Sequence, residues 1–114
     1  MASFDRQVGP AGVPVVQGYV PGGWRVSGIL YNGGILVLPD RVEPLAALAH
    51  LAERDLSGVE VLLIGTGPTM TRPAPEVLAG TGVPTEFMDS RAAARTYNVL
   101  AAEGRRVAAV LLPL

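Results

Sequence analysis

The chain has 114 residues, no cysteine, one histidine and a net charge of −1. These numbers exclude disulfides, thiolate catalysis, cysteine-based metal sites and any multi-histidine centre, and they leave no basic stripe for nucleic acid or an anionic membrane surface. A hydrophobic fraction of 49% against 17% charged suffices for one real core in a domain of this size, and no apolar run approaches the ~20 residues that span a bilayer.

Residues 1–12, ending Gly9, Pro10, Ala11 and Gly12, read as a flexible lead-in, and residues 13–114 as one α/β domain. Residues 1–7 lack the apolar h-region of a secretory signal, so a cytoplasmic location is expected. Residues 13–16 and 19–20 have strand character, interrupted by Gly18 and Pro21. Two β-rich runs, residues 24–30 and 35–38, flank Tyr31, Asn32, Gly33 and Gly34. Asn-Gly supplies the positive φ angles of a tight turn, which predicts an antiparallel hairpin over these two runs.

Glu43-Pro44 then predicts the start of a helix, with proline where its missing N–H does no harm. Leu45, Leu48, Ala52 and Leu56 would form its core face, and Ser57-Gly58 its end. Residues 61–64 are an uninterrupted apolar run, as in a strand covered on both faces. Gly65, Thr66, Gly67 and Pro68 end it. A short helix is expected over residues 75–79 and an edge strand over 83–87, where Pro84 and Glu86 disfavour a central position. Asp89 or Ser90 caps a second long helix reaching Glu103 and Gly104, and residues 107–112 form a central last strand. Strands alternating with helices predict a largely parallel sheet joined to the N-terminal hairpin.

The string Glu86-Phe87-Met88-Asp89-Ser90, then Arg95-Thr96-Tyr97-Asn98-Val99-Leu100, then Glu103-Gly104-Arg105-Arg106-Val107-Ala108-Ala109, joins Leu63-Ile64-Gly65-Thr66-Gly67 upstream. With Tyr19, the run from Trp24 to Gly28 and residues 35–39, these strings make the chain similar to a small domain family of unknown function. That family includes a mitochondrial respiratory complex I assembly factor and an adipogenesis-associated protein. Leu45, Ser90 and Trp24 stand where relatives commonly carry Trp, Thr and Phe. The resemblance covers roughly residues 15–113. It implies a three-layer α/β/α domain with a mixed, mostly parallel sheet of about five strands, and it lends no enzymatic activity.

Two groups of residues are candidates for binding. Gly65, Thr66 and Gly67 sit past the carboxyl end of an apolar strand, where open α/β sheets bind ligands and free amides hold anions. The alternative is a sharp turn and nothing more. Met70 stands where a dinucleotide fingerprint needs a third glycine, Pro68 removes an amide, and no Gly-Lys-Ser/Thr comes after it.

On the second long helix, Ala92, Thr96, Val99 and Leu100 are expected to face the core, with Tyr97 at its rim. Arg91, Arg95 and Asn98 then lie opposite. Two arginines four apart near a helix start repel each other and oppose the macrodipole, each by about 0.3–1 kcal/mol. Either Glu86 and Asp89 offset them or an anion or acidic partner does.

His50 is expected to face solvent, and no serine has a nucleophile-elbow context. The residues therefore predict a non-catalytic binding or assembly domain for a protein partner, with no cofactor, metal, nucleic acid or membrane insertion, and a link to respiratory complex assembly through the resemblance. The alternative is a binder of a small anion, or a modest enzyme, with its site at the end of the central strand. A homodimer paired through hairpin edges is a third reading.

Overall fold

The computed structural model describes residues 12–114; the lead-in expected over residues 1–12 falls, Gly12 excepted, outside the described residues. Three short strands come first: β1 (Val16–Val20), β2 (Gly23–Val26) and β3 (Ile29–Asn32). They form an antiparallel sheet in the order β1-β2-β3. The β2–β3 turn is Ser27-Gly28, with φ of 48° and 84°, the left-handed pair that a two-residue hairpin turn requires. The Ser27 hydroxyl oxygen accepts from the Val15 amide at 3.0 Å, which helps hold serine in that conformation. β1 continues through Gly18 with an irregularity in register between Val16 and Gly18. β3 is an edge, and Ile29 and Leu30 on it are exposed.

The hairpin expected across Asn32 and Gly33 is thus corrected. Residues 24–30 already contain a complete turn, and Asn32-Gly33-Gly34 carries the chain from one sheet to the next. Gly34 packs so closely on the Leu45 carbonyl that a side chain has no room.

The second sheet contains β4 (Ile35–Val37), β5 (Val42–Pro44), β6 (Val61–Gly65), β7 (Thr85–Met88) and β8 (Val107–Leu111) in the order β5-β4-β8-β6-β7. β8 is central and β7 is an edge. β6 runs parallel to β7 and β8, whereas β4 runs antiparallel to β5 and β8. The sheet is mixed, with two parallel and two antiparallel pairings, because β4 alone runs against the other four strands.

That pairing also removes the long helix expected from Pro44. Val42, Glu43 and Pro44 pair with Val37, Leu36 and Ile35, and proline is tolerated because β5 is an edge. Beyond β5 the chain forms only a six-residue 3-10 helix, Leu48–Glu53. Of the expected core face Leu45 and Leu56 are buried and Ala52 is exposed, while Leu51 is buried in its place, on an irregular path that no helical period describes.

The two remaining helices are α1 (Pro75–Ala79) and α2 (Ser90–Ala102). Asp89 caps α2, its side chain accepting from the Ala92 amide at 2.9 Å, and Gly104 at φ 83° takes the chain out of it. Both faces of the large sheet are covered, which is why its central strands are apolar throughout. Ile35, Val37, Leu63, Ala109 and Leu111 pack with α2 and the small sheet. Their neighbours Leu36, Leu62, Ile64, Ala108 and Val110 pack on the opposite face, toward Leu45, Leu51 and Leu56, with Val77 and Leu78 of α1 beside them.

α2 buries Ser90, Ala93, Ala94, Tyr97 and Ala101. This face is one residue, or roughly 100°, away from the expected one. Small alanines let the helix lie close on the sheet, while Val99, expected in the core, is exposed. Tyr97, expected at the rim, is fully buried.

Candidate binding cleft between the small sheet and the long helix

The rotation of α2 sets where its polar residues point. Tyr97 reaches under the N-terminal segment and donates its hydroxyl to the Pro14 carbonyl at 2.9 Å. Burial pushes its phenol well above the ordinary value of 10, so it stays neutral and holds that bond. One residue on, Asn98 meets β1 edge-on. Its Oδ1 accepts from the Val16 amide at 3.0 Å and its Nδ2 donates to the Val16 carbonyl at 2.7 Å. Asn98 thereby closes one end of the β1 edge the way a neighbouring strand would.

Above that anchor, β1 and α2 diverge into an open cleft of about 270 Å³. The sheet side presents Gln17, Gly18, Tyr19 and the buried Trp24; the helix side presents Arg91, Ala94, Arg95 and Asn98. Tyr19 stands edge-on to Trp24, with ring centroids 6.1 Å apart. The Arg91 guanidinium lies over the Tyr19 ring at 4.9 Å, a cation–π contact that orients it without neutralising it.

The cleft is rich in donors. Arg91 and Arg95 form no ion pair among the described residues; the pairs present are Arg41 with Asp40 and Glu43, Arg54 with Glu43, and Arg105 with Glu60. Both arginines are exposed. Asp89 is occupied as the helix cap, and Glu86 pairs with neither arginine. The Trp24 Nε1 is buried and has no acceptor among the described residues. Gln17 Oε1 accepts from the Gly28 amide at 2.6 Å, which commits its acceptor and leaves its NH2.

The structure therefore brings Arg91, Arg95 and Asn98 together but sets Gly65, Thr66 and Gly67 apart from them. Gly65 abuts the start of α2: a Cβ there would lie 2.8 Å from the Ser90 Cα and 2.9 Å from the Val110 carbonyl oxygen. The Thr66 amide donates to the Met88 carbonyl and the Gly67 amide to the Ser90 hydroxyl, both at 2.8 Å. Ser90 in turn donates to the Leu112 carbonyl at 2.8 Å. Neither turn amide is free to hold an anion. Thr66 borders a separate cleft of about 370 Å³ with Thr71, Arg72 and Val77, and its hydroxyl is committed to the Thr69 and Met88 carbonyls and the Thr71 amide.

Sequence reasoning missed Gln17, Tyr19 and Trp24. The signal was the lone tryptophan in a chain of only six aromatic residues, but its cross-strand pairing with Tyr19 depends on the Pro21-Gly22 turn. His50 lies exposed on the 3-10 helix, and no group of three His, Cys, Asp or Glu that could hold a metal occurs among the described residues. The cleft offers positive charge, N–H donors and aromatic walls, a chemistry suited to holding an acceptor.

A family model described as a protein of unknown function (DUF498/DUF598) matches residues 16–112. The chain belongs to this family. An uncharacterized protein of Rhodobacter capsulatus is 40% identical to this chain over 114 residues, covering 96% of this chain and 92% of that protein. The NADH dehydrogenase (ubiquinone) 1 alpha subcomplex assembly factor 3 of Danio rerio is 32% identical over 111 residues, covering 87% of this chain and 64% of that protein. The crystal structure of a Bordetella parapertussis protein has the same fold, with a TM-score of 0.77 at 35% identity, over 92% of this chain and 99% of the other. The DUF498/DUF598 model spans the cleft and the Gly65–Gly67 turn alike. Among the described residues no helix is long and apolar enough to cross a membrane.

Proposed function

We propose that this DUF498/DUF598 domain is a non-catalytic binding module that holds an acidic segment of a protein partner in the β1–α2 cleft. The observation that carries this reading is the pair Arg91 and Arg95, which stand on the cleft with no carboxylate of the described chain against them. Exposed like charges four apart are mildly unfavourable in the bare fold, and an acidic partner turns them into charge-assisted contacts. A relative named as an assembly factor of NADH dehydrogenase supports a role in which one protein holds another, and extends the proposal to respiratory complex assembly, with the chain working in the cytoplasm.

Charge reversal tests it. Tagged wild-type protein and R91E/R95E are recovered from source cells at low salt, and co-purifying proteins are quantified. The expected result is a stoichiometric partner that the reversed variant loses and that rising salt releases, since exposed charge contacts are screened. Equal recovery by both proteins, or no stoichiometric partner with wild type, overturns the reading.

A further inference from the structure

The cleft has a chemistry more specific than a positive surface. Among the residues that line it, the Arg91 and Arg95 guanidiniums, the Gln17 amide NH2 and the Trp24 indole have no acceptor from the described chain. A buried indole N–H without an acceptor is unusual in a native fold, where buried polar groups are almost always satisfied. Asn98 adds at most its second amide N–H, because its Oδ1 and the other N–H are bonded to Val16. It fixes instead the spacing between β1 and α2.

The rest of the lining is apolar or aromatic: Val16, Ala94 and the rings of Tyr19 and Trp24. The volume of about 270 Å³ lies near the lower end of ligand clefts, which suits a small ligand of one ring and a short acidic arm.

We infer that the β1–α2 cleft is a preformed site for a single carboxylate borne on a flat apolar body, with Arg91 and Arg95 gripping the carboxylate and Tyr19 and Trp24 contacting the body. The inference deepens the binding reading above and rests on it for the role of the arginines, but it needs no macromolecule. Guanidinium matches carboxylate geometry through paired N–H donors. An inorganic oxyanion would meet the same charges but leave the aromatic walls unused. A neutral ligand of the same shape would leave the arginines without an acceptor.

The full chain provides its own reporter, since Trp24 is its only tryptophan. Titration with 3-phenylpropionate, read by Trp24 fluorescence and by the indole N–H resonance, should saturate in the range of about 0.1–5 mM expected of so small a ligand. The neutral isostere 3-phenylpropionamide and inorganic phosphate should each bind at least about tenfold more weakly, the loss of a contact to a charged group. R91Q and R95Q should each weaken the acid by about fivefold or more, R95K less than R95Q, with the thermal midpoint of the bare R95Q protein unchanged.

Absence of saturation at about 50 mM, a range far weaker than ordinary ligand affinities, overturns the inference. So does equal binding of acid and amide, or full binding by R91Q/R95Q. If phenylpropionate fails while R91E/R95E still loses its protein partner, the small site is wrong and the protein-binding reading stands. If phenylpropionate binds while charge reversal leaves partner recovery unaffected, the small site stands and the protein-binding reading is wrong.

Discussion

The side chain of Asn98 satisfies both main-chain polar groups of Val16, accepting from the amide at 3.0 Å and donating to the carbonyl at 2.7 Å. These residues are 82 positions apart. The contact joins the small antiparallel sheet to the longest helix and sets one end of the cleft between them. A side chain that looked free for a ligand is in fact the clasp that makes the cleft.

Replacing Asn98 with alanine removes both bonds and leaves two half-buried main-chain groups of Val16 to find water. The expected loss is about 2–3 kcal/mol of unfolding free energy, measured by urea denaturation. Asn98→Asp should also destabilise, because a carboxylate keeps the acceptor for the Val16 amide but turns a negative oxygen toward the Val16 carbonyl.

At Gly65 the limit is steric. A Cβ would come within 2.9 Å of the Val110 carbonyl oxygen and 2.8 Å of the Ser90 Cα, both backbone atoms that cannot swing aside. Gly65→Ala should cost about 2–3 kcal/mol as an overpacked core change. A calorimetric midpoint within a degree of wild type would contradict the close β6–α2 contact.

Removing Arg95 should have the opposite character. With no ion pair among the described residues to lose, Arg95→Ala should leave stability within about 0.5 kcal/mol of wild type, or raise it slightly by relieving repulsion from Arg91. A loss above about 1 kcal/mol in the same denaturation assay would mean that Arg95 stabilises the bare fold.

Acid stability should depend on Glu43. Its carboxyl is held below the ordinary value of 4.5, first by the hydrogen bond from Arg41 and next by that from Arg54, at 2.8 and 2.9 Å. Between the lowered folded value and 4.5, the unfolded chain binds more protons than the folded one. The contribution is therefore complete above about pH 5 and drains away as pH falls through the folded value. Glu43→Gln should cost about 0.5–1 kcal/mol at pH 7, and the gap between variant and wild type should be narrower at pH 3. Paired denaturation curves at the two pH values check this.

What the sequence determined by itself is everything that depends on neighbours along the chain. The apolar runs of β6 and β8, the Asp89 cap, the Gly104 exit of α2 and the short α1 all sit where local pattern puts them, and the strings around Arg95 and Gly104 were enough to recognise the family. The tertiary structure decided every question of competition between distant segments. Val42–Pro44 pairs with β4 instead of opening a helix, because a ladder partner for β4 outweighs a favourable proline position. Ser27-Gly28 takes the hairpin turn from Asn32-Gly33. α2 buries Ala93 and Tyr97 instead of Thr96 and Val99, because small residues allow a closer approach to the sheet than hydrophobicity alone suggests. The cleft belongs to the second class: its walls come from residues 16–24 and 91–98, and no local signal specifies that these two stretches lie side by side.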